Sequence, residues 1–266
     1  HLSIRRQRQM CIRDRLVRKV ASLGFKAVQI GPLQIYVPIE GEQLRGVLDS
    51  LDMERNVHVG GIFDAEKLAL TEEEYVRMRK KVRYGITLCK EMSSTLVSIH
   101  PPFFTAGNKV GEILSKARTR FLELVMEEVD FASRNGINIA LESFCYNPFI
   151  FEGLHDFTGF TSKFPREKLG VLLDVGHLYQ MGMDLSEAVH LFKNRLLDVH
   201  IHDATLGGDV REATHLPIGK GTINFSDFIG VLQDAGYNGW LTLEIRGSEK
   251  EIVESKDFLE SLMMKT

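Results

Sequence analysis

Five short apolar runs in this chain end on residues able to hold a metal ion or carry a proton. They are Thr95 to His100, Ile137 to Glu142, Leu169 to Asp174, Leu196 to Asp203 and Trp240 to Glu244. The run LLDVHIHD at 196–203 alternates. Val199 and Ile201 share one face while Asp198, His200 and His202 share the other, which is the period of a β-strand. A lone imidazole on a strand is usually a satisfied core histidine. The same pattern at five strand ends points to chemistry instead.

Parity sharpens the reading. In a strand buried on both faces, polar groups at alternate positions point toward a common axis. Ser98 and His100 share a parity, as do Ala140 and Glu142, and Thr242, Glu244 and Arg246, among the aliphatic partners Val97, Ile99, Ile139, Leu141, Leu241, Leu243 and Ile245. Gathering Glu142, Asp174 and Glu244 in one partly dry mouth is costly, because like carboxylates raise one another's energy. A divalent cation resolves the conflict. Three carboxylates and one imidazole suit Mn²⁺, Mg²⁺ or Co²⁺, with Zn²⁺ also compatible.

The elements that must position these groups alternate along the chain. LVRKVASLGF, EGEQLRGVLDSLD, EEEYVRMRKKVRYGITLCKEM, the stretch 110–135, GLHDFTGFTSKF, DLSEAVHLFKN with Asp184 as N-cap, FSDFIGVLQDAG and EIVESKDFLESLM read as helices. KAVQIGP, NVHVGGIF, STLVSIHPP, INIALESF, LGVLLDVGH, LLDVHIHD and GWLTLEI read as strands. Such alternation implies a parallel sheet with crossover helices, either a closed (β/α)₈ barrel or an open doubly wound sheet. Polar residues at so many strand ends favour the barrel, whose mouth collects the C-terminal ends of all its strands. The expected fold is therefore an α/β TIM barrel over residues 16–266 as a single domain. Its first strand is missing or replaced by a poor substitute, since only Leu2-Ser3-Ile4 precedes the first helix.

The segment 1–15, HLSIRRQRQMCIRDR, carries five arginines and one acid without apolar periodicity. It is Arg-rich and acid-poor like a transit peptide, but its serine content and amphipathic pattern are weak, so it reads as a solvated basic tail or as non-native sequence such as a translated sequencing adaptor. At 266 residues and 44% hydrophobic content the chain can bury a full core. Its net charge of −3 argues against a large cationic surface for nucleic acid. Three cysteines, Cys11, Cys89 and Cys145, form neither a zinc cluster nor a disulfide framework, which predicts a reducing, cytoplasmic setting. No run reaches membrane-span length, so no membrane partner is expected.

The motifs LES at 141–143, DVGH at 174–177, HIHD at 200–203, HLPIGKG at 215–221 and LEI at 243–245 resemble the xylose-isomerase-like TIM-barrel superfamily over about residues 16–262. That superfamily includes ketose 3-epimerases, inosose-processing enzymes and endonuclease IV. In the epimerase branch the residues matching Glu142, Asp174, His200 and Glu244 hold one metal, and the residue matching His177 contacts substrate. Glu142 and Glu244 then act as the catalytic proton-transfer pair. The resemblance implies a metal-dependent sugar, sugar phosphate or polyol isomerase or epimerase working through a metal-stabilised enediolate, with homo-oligomerisation a family expectation. His100 and His215 join His177 as candidates for contact with a small-molecule substrate. The alternatives are an endonuclease IV-like phosphodiester hydrolase acting on abasic DNA and a metal-binding barrel without turnover. The hydrolase branch uses three zinc ions and more histidines. This chain departs from it at Val59 or Gly60 and at Ala213.

Weaker signals carry two readings each. His202 either hydrogen-bonds a ligand carboxylate or meets substrate. Arg246 points inward if parity holds, toward substrate or a site glutamate. The loop Gly219-Lys220-Gly221 is a phosphate cradle or a turn. Phe103 and Phe104 form a lid or simply pack. Trp240 reads as core, and His58, His155 and His190 as lying away from the strand ends.

Overall fold

The computed structural model describes residues 14–31, 40–61, 63–105, 111–143 and 150–264. Leu2-Ser3-Ile4, Cys11 and Cys145 lie outside the described residues. The described residues fall into two compact units, one drawn from 1–100 and 111–139 and the other from 101–110 and 140–266.

The first unit holds a helix α1 at residues 14–22, then β1 (Ala27–Ile30), α2 (Gly41–Ser50), β2 (Glu54–Val59), α3 (Ala65–Leu70), α4 (Glu72–Glu91), β3 (Leu96–Ile99) and α5 (Gly111–Arg134). β1, β2 and β3 are parallel neighbours in that order, with His58 of β2 opposite Ser98 of β3. β4 (Asn138–Glu142) begins here, and Asn138 N–H donates to Thr95 O at 2.8 Å. The helices bury an apolar stripe that includes Met78, Val82, Ile86, Phe121, Leu124 and Val125.

The second unit takes up β4 at Ala140 and continues through α6 (Leu154–Thr161), β5 (Leu169–Asp174), α7 (Val175–Gln180), α8 (Leu185–Phe192), β6 (Leu196–Ile201), α9 (Val210–Ala213), α10 (Phe225–Asp234), β7 (Trp240–Leu243) and α11 (Glu249–Met263). Ser143 N–H donates to Leu172 O, and β5, β6 and β7 are parallel neighbours in chain order. Phe151, Phe157, Phe160 and Phe192 meet edge to face beneath them, with centroids 5.1–5.4 Å apart.

One irregularity decides which strand-end residues meet. Val171 pairs with Leu196 but Leu172 pairs with Asp198, so Leu197 has no partner in the ladder. Gly170 makes room for it, because a Cβ there would lie 2.3 Å from Leu197 Cδ1. The extra residue advances β6 by one position and brings His200 opposite Asp174. Without it Asp174 would neighbour Val199, whose side chain points to the other face.

All seven expected strands are present, and Asp184 caps α8 by accepting from Ser186 and Glu187 N–H. The short helices α3, α7 and α9 were not expected. Among the described residues no helix is long and apolar enough to cross a membrane.

Candidate metal centre

Asp174 closes β5 and caps α7 in the same stroke. Its Oδ1 accepts the His177 N–H at 2.8 Å and lies 3.0 Å from His202 Nε2. The DVGH motif is thus a strand end folded directly into a helix N-cap. Asp174 Oδ2 is buried, accepts no hydrogen bond from any described residue, and lies 4.0 Å from His200 Nδ1. Burial opposes ionisation of Asp174. His177, then His202 and His200, outweigh that cost and hold the carboxyl well below the usual range.

His202 is tied on both sides. Its Nδ1 takes the His215 N–H at 2.9 Å, which leaves Nε2–H to donate to Asp174 Oδ1. Of its two sequence readings, the one found is the bond to the Asp174 carboxylate. The His215 ring stacks on His202 with centroids 4.3 Å apart and planes 6° from parallel. His215 sits at φ 57°, a left-handed conformation that histidine tolerates better than bulkier or β-branched residues. Thr214 Oγ1 donates to Val210 O and so accepts from His215 Nδ1–H, which leaves a lone pair on Nε2, 3.8 Å from Glu244 Oε2. Burial and the neighbouring His202 push His215 down to about 4, so it is neutral at pH 7.

Glu142, Asp174 and His200 each offer a ligand atom within 4.8 Å of the others, and all three are buried. Glu244 joins from just beyond β7, with Oε2 2.8 Å from His200 Nδ1 and a side chain 39% exposed. Burial alone would depress His200. Glu244, Asp198 and Glu142 overcome that and push it up to about 10. The imidazolium supplies positive charge that the surrounding carboxylates require. A divalent cation meets the same requirement, and the bare Oδ2 of Asp174 and the mixed carboxylate and imidazole donors suit one. Glu142, Asp174, His200 and Glu244 are therefore the residues able to hold it.

In the first unit His100 forms a chain with a residue the sequence reading placed away from the strand ends. His58 Nε2 lies 3.0 Å from His100 Nε2, and His58 Nδ1 lies 2.9 Å from Ser98 Oγ. Gly61 N–H donates to His100 Nδ1, so His100 carries its proton on Nε2 and gives it to His58, which donates in turn to Ser98. The parity that flagged Ser98 and His100 extends across the β2–β3 register to His58, and that signal was available. His155 is exposed, and so is His190, whose Nδ1 lies 2.8 Å from Ser186 O.

Four expectations are corrected or narrowed. Arg246 is exposed and donates to Arg211 O at 2.7 Å rather than pointing inward, because β7 ends at Leu243 and the strand alternation stops with it. The loop Gly219-Lys220-Gly221 offers no cradle for phosphate in its glycine amides, since both donate to Asp203 Oδ2 at 2.8 and 2.9 Å. Phe103 and Phe104 are buried, which favours packing over a lid, and Trp240 is half-buried.

Residues 17–262 match the family model described as xylose isomerase-like TIM barrel. The chain belongs to the xylose isomerase-like TIM barrel family. The fold is accordingly a TIM barrel, with seven parallel strands among the described residues.

Curated relatives of this family member include an uncharacterised protein, MJ1311, of Methanocaldococcus jannaschii, 29% identical over 192 residues, covering 68% of this chain and 61% of that protein. A probable endonuclease 4 of Sulfurihydrogenibium sp. is 26% identical over 195 residues, 68% and 67% of the two chains. The inosose isomerase of Halalkalibacterium halodurans is 22% identical over 185 residues, 67% and 66% of the two. The chain thus spans about three fifths to two thirds of the length of these relatives. Among solved structures, a D-tagatose 3-epimerase-like protein superposes with a TM-score of 0.81 at 23% identity, over 93% of this chain and 91% of that one.

Proposed function

We propose that residues 16–266 form one catalytic domain, a divalent-metal-dependent isomerase or epimerase of a sugar, sugar phosphate or polyol. The observation that carries this reading is the convergence of Glu142, Asp174 and His200 within 4.8 Å, with Glu244 against His200 Nδ1. A bound Mn²⁺, Mg²⁺, Co²⁺ or Zn²⁺ would supply a Lewis acid that polarises a ketose carbonyl and its neighbouring hydroxyl.

The chain's own groups do the rest. One of the two glutamates takes the proton from the carbon beside the carbonyl, and the other returns one. Return to the opposite face inverts that carbon, whereas transfer to the adjacent carbon interconverts aldose and ketose, with no net redox change. A proton taken up by the buried Glu142 would be shielded from water, whereas one taken up by the partly exposed Glu244 would exchange with solvent. His215 Nε2 is available to accept from a substrate hydroxyl, and His177, 3.9 Å from Asp174 Oδ2, lines the same cluster.

Elemental analysis of the purified chain is expected to give about one divalent metal per chain, lost in the Glu142→Gln, Glu244→Gln double variant. A ketose panel in D₂O is expected to show deuterium entering beside the carbonyl of the true substrate and of no substrate in that variant. Absence of metal from the native chain would overturn the reading.

The probable endonuclease 4 relative, together with the group His177, His202 and His215, supports a second reading, phosphodiester hydrolysis at a multinuclear centre. Against it, both ring nitrogens of His202 are already engaged and Ala213 stands where an acidic ligand is required. About three zinc ions per chain would favour it.

A further inference from the structure

Asp198 has no part in the ligand set above, yet it is fully buried two residues before His200 on the same face of β6. A carboxylate taken out of water needs compensation. Thr242, opposite His200 in the β6–β7 register, donates its hydroxyl to Asp198 Oδ1 at 2.9 Å. The other oxygen, Oδ2, lies 3.9 Å from His200 Nε2. On the opposite edge of the ring, Nδ1 lies 2.8 Å from Glu244 Oε2 and 4.0 Å from Asp174 Oδ2. The imidazole is therefore set among three carboxylates, Asp198 at ion-pair distance from Nε2 and Glu244 with Asp174 on the Nδ1 side.

We propose that Asp198 is a positioning residue that keeps the His200 proton on Nε2, so that Nδ1 presents its lone pair to a divalent cation among Glu142, Asp174 and Glu244. This rests on the metal-centre reading of the preceding section. The physical reason is that removing the Nε2 proton would leave Asp198 facing a bare nitrogen lone pair, whereas a cation can take the place of the proton at Nδ1. Carboxylate partners on the outer nitrogen of a ligating histidine orient the ring and raise its basicity. Thr242 fixes the direction of the Asp198 carboxylate, and the Leu197 bulge fixes which strand position faces Asp174.

Asp198→Asn separates this role from simple packing. The amide keeps the size of the side chain and can still accept from Thr242, but it turns an NH₂ toward Nε2 and favours the opposite ring tautomer. Mn²⁺ titration of the full chain, read by the free-ion paramagnetic resonance signal, is expected to show affinity 10- to 100-fold weaker in Asp198→Asn. Zn²⁺-loaded native protein with ¹⁵N-labelled histidine is expected to show Nε2 protonated and Nδ1 bound. Should Asp198→Asn fail to fold, Thr242→Val frees the carboxylate without removing it, and a fall of about threefold or more is expected. Native-like affinity in whichever variant folds, or a metal on Nε2, overturns the role of Asp198 while leaving the centre intact. Failure of the native chain to bind Mn²⁺ or Zn²⁺ overturns the metal centre itself and this role with it.

Discussion

Gly176 lies directly beneath the His202 ring: a Cβ at position 176 would come within 1.9 Å of His202 Cε1 and 2.1 Å of Nδ1. The glycine of the DVGH motif is therefore the space into which the histidine that holds Asp174 is packed. Gly176→Ala is expected to drive His202 off Asp174 and lower both metal affinity and turnover by at least tenfold. It should also destabilise the chain by about 2–3 kcal/mol through overpacking. Metal titration and urea unfolding check it, and an alanine variant with native affinity would show that the His202 contact is dispensable.

Asp203 anchors the return loop after β6. Its carboxylate accepts backbone N–H from Ala204, Gly219, Gly221 and Ile223 at 2.8–3.2 Å, all around a buried side chain. Bonds to a charged acceptor contribute about 1.5–3 kcal/mol each and are not additive. Asp203→Ala is expected to cost about 3–5 kcal/mol in urea unfolding and to raise amide exchange over 216–223. Unchanged exchange at Gly219 and Gly221 would contradict the assignment.

His58 aims His100 through the hydrogen-bond chain that starts at Gly61 N–H. With His100 as a substrate contact, His58→Ala is expected to reduce kcat/KM about tenfold, or about 1.4 kcal/mol, with little change in unfolding midpoint. An unaltered kcat/KM would confine the pair to a structural role.

Cys89 is buried under β3, its Sγ donating to Leu96 O at 3.0 Å, and burial pushes the thiol up to about 11 from an ordinary 9.0. The folded chain therefore binds this proton more tightly than the unfolded chain does. Its stabilising contribution is complete below about pH 9 and declines as pH rises toward 11, by roughly 2–3 kcal/mol in total. The stability difference between the native chain and Cys89→Ala is expected to narrow over that window. Peptide mapping after iodoacetamide at pH 8 should find Cys89 unmodified in the folded protein and modified in urea. Rapid modification of the folded chain would show that β3 opens readily.

The strand and helix order was legible because each long element repeats its apolar positions with the period of its own backbone. The residues of the candidate site were legible for a related reason: Glu142, Asp174, His200 and Glu244 stand at or near the ends of runs of aliphatic residues, where a charge has no place unless the fold uses it. The short helices α3, α7 and α9 are not legible in the pattern, because four to six residues are too few to show a period. Their caps, Asp64, Asp174 and Asp209, were the available signal.

The sequence by itself determined which residue types stand at the strand ends and on which face of its own strand each one lies, since parity is a local property of the backbone. Tertiary structure alone decided which of them meet. Asp174 faces His200 because Leu197 is left out of the ladder, and a register shift is set by pairing with a distant segment rather than by the strand's own pattern. Tertiary structure likewise turned Arg246 out to the carbonyl of Arg211, joined His58 to His100 and placed Asp198 behind His200. Each of these depends on where a neighbouring strand or loop ends, which no local period encodes.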